Sequence, residues 1–220
     1  MQTFKTSRAK ENILARVRKE LNKTSLPIPY ADAEKRAGEN VYTPSGLSAE
    51  EEFAVNFSRL GGRFVFCTNH AELVANIYAL YETREWQKML CAHPEILKLL
   101  QTGSYNIAAS VTERAEEADV CITGCEALVA RTGSAIISSR QYMGRTSTIF
   151  YPVHIIVAYA RQVVPDIKEG LALMKTRYGA NLPSMINLNT GPSRTADIEK
   201  TLVVGVHGPA EVFCFLVNEE

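Results

Sequence analysis

The sequence is poor in several features, and each shortage excludes a class of function. No run of the roughly 18–20 apolar residues that a membrane-spanning helix needs is present, so no membrane span is expected. Charge of one sign is also lacking. Lys plus Arg number 24 and Asp plus Glu number 24, a formal net charge of zero. Nucleic-acid binding leaves a basic footprint, so no nucleic-acid partner is expected. Zero net charge weakens self-repulsion and favours association with other proteins. Cysteine is sparse and irregular: Cys67, Cys91, Cys121, Cys125 and Cys214. Cys121-x-x-x-Cys125 is the one close pair, whereas zinc sites and iron–sulfur clusters need more thiolates at tighter spacing, so neither a metal nor a cofactor is expected in this chain. The glycines form no G-x-G-x-x-G opening a helix after a strand, no G-x-x-x-x-G-K-[ST] and no G-x-S-x-G, which removes the usual dinucleotide, P-loop and nucleophile-elbow signals. The opening MQTFKTSRAKENILARVRKEL is charged throughout and has no apolar core of a secretory signal, so a cytoplasmic protein with reduced thiols is expected.

What is present suits a soluble α/β protein. Hydrophobic residues make up 46% and charged residues 22%, enough to bury a continuous core without disulfides or metals. Ile13, Leu14, Val17 and Leu21 share one face of a predicted helix. The stretch that follows carries Pro27, Pro29, Gly38, Pro44 and Gly46 and reads as an extended arm, so residues 1–46 are assigned to helix and arm and 47–220 to an α/β domain. Ser48 with Glu51 is a capping-box pattern ahead of a helix bearing Phe53, Phe57 and Leu60. Strands are expected at Arg63–Cys67, Val120–Thr123, Ala135–Ser138, His154–Ala160 and Val212–Val217. Helices are expected after Asn69, around Trp86–Leu90, over Pro94–Leu100, at Glu126–Ala130, over Pro165–Tyr178 with Gly179 ending it, and near Pro192–Val203. Strands alternating with helices predict a mostly parallel sheet with helices on both faces.

Three segments carry candidate chemistry. In Asn189–Pro209, NTGPSRTADIEKTLVVGVHGP, Gly191-Pro192 is a helix opening, and Ser193, Arg194 and Thr195 would then offer backbone N–H groups, a cation and two hydroxyls to a carboxylate or phosphate. The alternative is that Arg194 pairs with Asp197 and the hydroxyls only cap the turn. Next comes Gly205-Val206-His207-Gly208-Pro209, where His207 is a general base, a ligand or a hydrogen-bonded turn residue. Arg131-Thr132-Gly133-Ser134 sits at a sheet edge, a place where α/β proteins bind ligands, or else is a polar glycine turn. His154, entering a strand behind Pro152, is either a satisfied core residue or faces the same cleft as His207.

These residues together resemble a known family. GPSRTADIE at Gly191–Glu199 followed by GVHGP at Gly205–Pro209 is similar to the C-terminal signature of the LUD-domain family. Arg131–Ser134 is similar to that family's A-x-T-G-[ST] segment, and GRTSTIFYPVHI at Gly144–Ile155 to its R-x-S-x-x-x-x-P-x-H-I segment. Tyr151 departs from the pattern, which has a small or apolar residue there. Among the branches of the family, the length and single domain resemble the lactate-utilisation C type; the B type carries cysteine-rich ferredoxin-like sequence that is lacking here. The resemblance implies a fold like that of the ribose-5-phosphate isomerase and CoA-transferase group. It implies a part in oxidising L-lactate to pyruvate alongside lactate-utilisation proteins A and B, whose iron–sulfur clusters would carry the electrons. Thr132, Gly133, Arg145, His154, Gly191, Ser193, Arg194, Thr195, Asp197, His207 and Gly208 are the matching candidates for substrate or anion binding, with His207 and Arg194 the candidates for chemistry. A stand-alone enzyme or sensor for a phosphorylated, CoA-linked or carboxylate molecule is the competing expectation, with His207 or Glu199 as proton carrier.

Overall fold

Short apolar runs, each too brief to stand alone, pair into two stacked sheets. The structure, a computed structural model, describes residues 8–22, 45–102, 112, 114–195 and 203–218. The chain divides into two compact units, Met1–Pro44 and Ser45–Glu220. In the first, α1 (Arg8–Leu21) carries Ile13, Leu14, Val17 and Leu21 as an exposed apolar stripe. Among the described residues no helix is long and apolar enough to cross a membrane.

The second unit opens with α2 (Ala49–Arg59). Glu51 N–H donates to the Ser48 hydroxyl and Ser48 N–H donates to the Glu51 carboxylate, the reciprocal cap that the sequence predicts. Phe53 and Phe57 on its inner face are fully buried and stacked, ring centres 5.3 Å apart. There follow β1 (Arg63–Cys67), α3 (His70–Thr83), β2 (Met89–Cys91), α4 (Pro94–Thr102), β3 (Val120–Thr123), β4 (Ala127–Val129), β5 (Ser134–Ser138) and β6 (Val153–Tyr159). The chain continues through β7 (Val163–Val164), α5 (Ile167–Tyr178), β8 (Ile186–Asn189), β9 (Arg194–Thr195), β10 (Val203–Val204) and β11 (Glu211–Val217). Asn69 caps α3 by accepting Glu72 N–H, and Gly179, at φ +55°, ends α5.

Five strands form a parallel sheet in the order β1-β11-β6-β3-β2. Parallel strands are buried on both faces, which is why they read as continuous apolar runs rather than alternating ones. Ile155, Val157, Phe213 and Phe215 face Leu73 and Ile77 of α3 and Ile96 and Leu100 of α4. Ile156, Ala158, Cys214 and Leu216 face the other way, onto Phe53, Phe57, Leu128, Ala135 and Ile137. The last three belong to a second, four-stranded sheet, β7-β4-β5-β8, antiparallel except where β4 meets β7. Its outer side, with Ala127, Val129 and Ile136, packs on Met174 of α5. Helices thus cover both outer faces of a two-sheet stack.

Three local expectations need correction. Trp86–Leu90 is not helical: Gln87 and Lys88 N–H groups donate to the Asp119 carboxylate at 2.8 and 2.9 Å, which steers Met89–Cys91 into the sheet as edge strand β2. Glu126–Ala130 is also not a helix. Ala127–Val129 pairs with both β5 and β7, and a run this short fits helix or strand equally until long-range pairing decides. At Pro192 no helix opens, because Arg194–Thr195 pairs antiparallel with Val203–Val204; residues 196–202 lie outside the described residues.

The β4–β5 turn is held against α2 by Asn56, whose amide donates to the carbonyls of Ala130 and Arg131 at 3.0 and 3.1 Å. Gly133 in that turn has φ +59°, and a Cβ there would lie 2.4 Å from Phe57 N and 2.6 Å from Asn56 C. Backbone cannot yield as a flexible side chain can. Gly133→Ala is therefore expected to lower the unfolding free energy by about 2 kcal/mol or more. Urea denaturation checks this, and a midpoint equal to that of the unchanged protein would contradict it.

Candidate functional site

The signature segments meet at the amino ends of the parallel strands. The turn after α2 leads into β1, and the Arg194 guanidinium donates to the Leu60 carbonyl in that turn. Ser193 N–H donates to Pro209 O at 2.9 Å, and Gly205 N–H donates to Ser193 O at 3.0 Å. The Ser193 hydroxyl donates to His207 O at 2.9 Å. Gly208, at φ +127°, lets Thr148 approach: a Cβ there would lie 3.0 Å from Thr148 O and 3.1 Å from Ser193 Cβ. Ser134 and Thr190 hydroxyls, 2.8 Å apart, tie the Thr132–Ser134 turn to the residue preceding Gly191. Segments far apart in sequence, near residues 60, 133, 148, 192 and 207, are thereby locked together, with their backbone groups satisfied by one another.

The individual candidates separate. Gly191, Ser193, Arg194, Thr195, His207 and Gly208 belong to this turn cluster, with Thr132 and Gly133 one hydrogen bond away through Ser134. Ser193 spends its N–H and hydroxyl inside the cluster, and the Arg194 guanidinium is held by a backbone carbonyl. His207 contributes its carbonyl, and its ring is exposed to solvent. Arg145 instead donates to the Ser184 hydroxyl. Asp197 and Glu199 lie outside the described residues.

His154 is sealed between the two sheets and does not share a cleft with His207. Its Nε2 lies 2.8 Å from the Thr123 hydroxyl, and its Nδ1 is buried without a partner among the described residues. Burial pushes its pKa down to about 3, so the ring is neutral. Beside the turn cluster, a cavity of about 440 Å³ is lined by residues that include Glu116, Met143, Thr146, Phe150 and Tyr151. Tyr151, the departure from the family pattern, forms part of its wall, and burial pushes the phenol up to about 12.

A second polar centre had no signal in the sequence beyond one acidic residue in an apolar run. Glu126 is buried, accepts the Ser138 hydroxyl at 2.6 Å and the Tyr178 hydroxyl at 2.7 Å, and pairs with Arg177. All five thiols are buried. Desolvation lifts Cys91 to about 11 and Cys121 to about 12, and raises Cys125 and Cys214 further. Among the described residues no group of three or more His, Cys, Asp or Glu side chains is arranged to hold a metal ion.

The family pattern described as LUD domain matches residues 50–217. The chain belongs to the LUD domain family. Proteins named lactate utilization protein C are similar over part of their length: that of Bacillus velezensis is 37% identical over 121 residues, 54% of this chain and 48% of that one. That of Geobacillus thermodenitrificans is 38% identical over 119 residues, 53% of this chain and 48% of that one. The Bacillus subtilis protein is 35% identical over 109 residues, 49% and 45% of the two chains. The matched stretch spans about half the length of these curated relatives. The crystal structure of a DUF162 family protein from Deinococcus radiodurans shares the fold at TM-score 0.57 and 20% identity, covering 78% of this chain and 99% of that one.

The sealed histidine of this LUD domain makes stability depend on pH. With a folded pKa of about 3 against roughly 6.5 unfolded, the unfolded chain takes up a proton that the folded chain refuses. The contribution is complete above about pH 6.5 and is lost as pH falls toward 3, at up to about 1.4 kcal/mol per pH unit. Replacing the ring by His154→Gln removes that component. Denaturation curves of the two proteins from pH 7 to 4 should converge with that slope, whereas parallel curves would refute a buried neutral imidazole.

Proposed function

We propose that this LUD domain serves lactate utilisation as a subunit without a cluster of its own, seating iron–sulfur partners of the A and B type on the turn cluster at the amino ends of its parallel strands. The reading is carried by the 35–38% identity to the three lactate utilization proteins C. Oxidation of L-lactate to pyruvate releases two electrons and two protons; iron–sulfur clusters on the partners would take the electrons and solvent the protons, while this chain would organise the assembly or present the acid.

The surface around the turn cluster supports this reading. Ile149 and Phe150, next to Thr148, are 53% and 71% exposed, and Val204 and Val206 beside Gly205 are exposed as well. Apolar side chains set around a fixed polar turn make a surface suited to a protein partner. The mutual satisfaction of Ser193, Gly205, His207 and Pro209 keeps that surface in one shape, so little ordering entropy is lost on docking. Thr132, Gly133, Gly191, Arg194, Thr195 and Gly208 act in this account mainly by shaping the cluster, while Arg145 bonds to Ser184 and His154 to Thr123. Cytoplasmic location belongs to the same proposal.

Affinity capture of the tagged protein from its native cells, with an iron assay and lactate-dependent dye reduction on the eluate, tests the reading. Iron, partner chains and lactate-dependent reduction are expected together, and Phe150→Ser should lower the captured iron about tenfold. An iron-free single chain that by itself turns over or binds a phosphorylated, CoA-linked or carboxylate molecule, with no partner captured, would replace the proposal with the stand-alone enzyme or sensor.

A further inference from the structure

The carboxyl ends of the parallel strands, opposite the turn cluster, enclose a cavity of about 180 Å³. It opens where β2, β3 and β6 stop, and its walls include His93, Gly124, Tyr159, Arg161, Gln162 and Arg177. In open α/β sheets the crevice beyond the carboxyl ends is where loops are free to carry binding groups without disturbing the core.

The lining is rich in hydrogen-bond donors. Arg161 lies over the Tyr159 ring, 4.7 Å from its centre. Burial of Tyr159 and the nearby Glu95 carboxylate raise its pKa, so the phenol stays a donor. Arg177 pairs with buried Glu126 and carries further N–H groups in its planar fork. Gln162 offers nothing to a ligand: it accepts Tyr159 N–H at 2.8 Å and donates to Cys125 O at 2.6 Å, so it only fixes the wall. The imidazole of His93 lies against Gly124, where a Cβ would sit 3.4 Å from ring carbon Cδ2, and its Nδ1 is buried with no partner among the described residues. The Cδ2–Nε2 edge of that ring faces Gly124, with Nε2 3.5 Å from the same Cβ position, so Nε2 is the ring nitrogen set beside the cavity wall. His93 also precedes α4, and its carbonyl accepts Leu97 N–H at 2.9 Å. The first-turn N–H groups of Glu95 and Ile96 therefore have no acceptor within the helix. Of the acidic side chains here, Glu126 is already paired and Glu95 is exposed on the rim.

We propose that this cavity is a binding site for a small monocarboxylate, held by Arg161 and Arg177 with Tyr159 and His93 as hydrogen-bonding partners. Its volume is well below the roughly 300 Å³ at which drug-sized ligands begin, which suits a short-chain acid better than a whole nucleotide or CoA. Lactate and pyruvate belong to this class, but the site stands on its own lining and does not rest on the proposed partnership.

Isotope-labelled full-length protein is titrated at constant ionic strength with pyruvate, L-lactate and acetate, and in parallel with inorganic phosphate, following amide shifts. Saturable shifts at Gly124 and Ile96 from at least one carboxylate are expected, with phosphate far weaker. Arg161→Gln should weaken that binding about tenfold or more, as loss of a charge-assisted hydrogen bond does, while Arg59→Gln, a cation removed from the end of α2, should leave it unchanged. Gly124→Val, whose side chain would occupy the cavity, should abolish it. Silence of these amides toward every carboxylate, equal response to phosphate, or an unchanged dissociation constant in Gly124→Val overturns the proposal. Thermal unfolding of each variant checks its fold, and the titration of the unaltered protein decides the matter even where a variant is unstable. Failure of partner capture leaves these shifts untouched, so the two readings fail separately.

Discussion

The layer between the two sheets fixes the position of every functional segment. There Ile156, Ala158, Cys214 and Leu216 of the parallel sheet meet Leu128, Ala135 and Ile137 of the mixed one, with the Phe53–Phe57 stack closing one side. Because β6 and β11 are buried on both faces, a slip of one residue would exchange their two apolar sets and bring His154 into the layer packed by α3 and α4. The register Ile156↔Cys214 and Ala158↔Leu216 therefore sets where the strands begin and end. The turn cluster follows from the first of these positions and the carboxyl-end cavity from the second.

Two ion pairs tie the elements of this frame together. Glu126 is tied to Ser138, Tyr178 and Arg177, joining the mixed sheet to α5. Arg131 pairs with Asp166 at 2.6 Å, and that hydrogen bond holds the Asp166 carboxyl below the usual range while the same carboxylate caps α5. Removing one member of a buried ionic set costs more than the set contributes, because the remaining charge is left stranded. Arg177 pairs with the buried Glu126 and also lines the cavity, so the cavity wall is tied to the core at that point.

Much of this was legible in the sequence where the signal is local. The Ser48–Glu51 cap, the Asn69 cap, the apolar runs of β1, β3, β6 and β11, and α5 with its glycine stop each depend on neighbours within a few residues. The short strands β2 and β4 were not legible, since a three-residue strand is chosen by its distant partners. Gly191-Pro192 reads as a helix opening by local rules, yet Ser193 bonds to Gly205 and Pro209, twelve and sixteen residues on in the chain, and those bonds win. The glycine motifs correctly suggested turns, and folding gathers them at one end of the sheet. His93, Arg161 and Arg177 follow no spacing pattern because the turn before α4, the turn after β6 and helix α5 deliver them separately to one cavity.

Hydrogen–deuterium exchange of the protein alone and in its captured assembly tests the division of labour between the two ends of the sheet. Added protection is expected in peptides covering residues 145–152, 190–195 and 203–209, with the peptides around 93–97, 124 and 159–162 unchanged until a short carboxylate is supplied. Partner-dependent protection confined to the carboxyl-end peptides, with the turn cluster unaffected, would contradict the account.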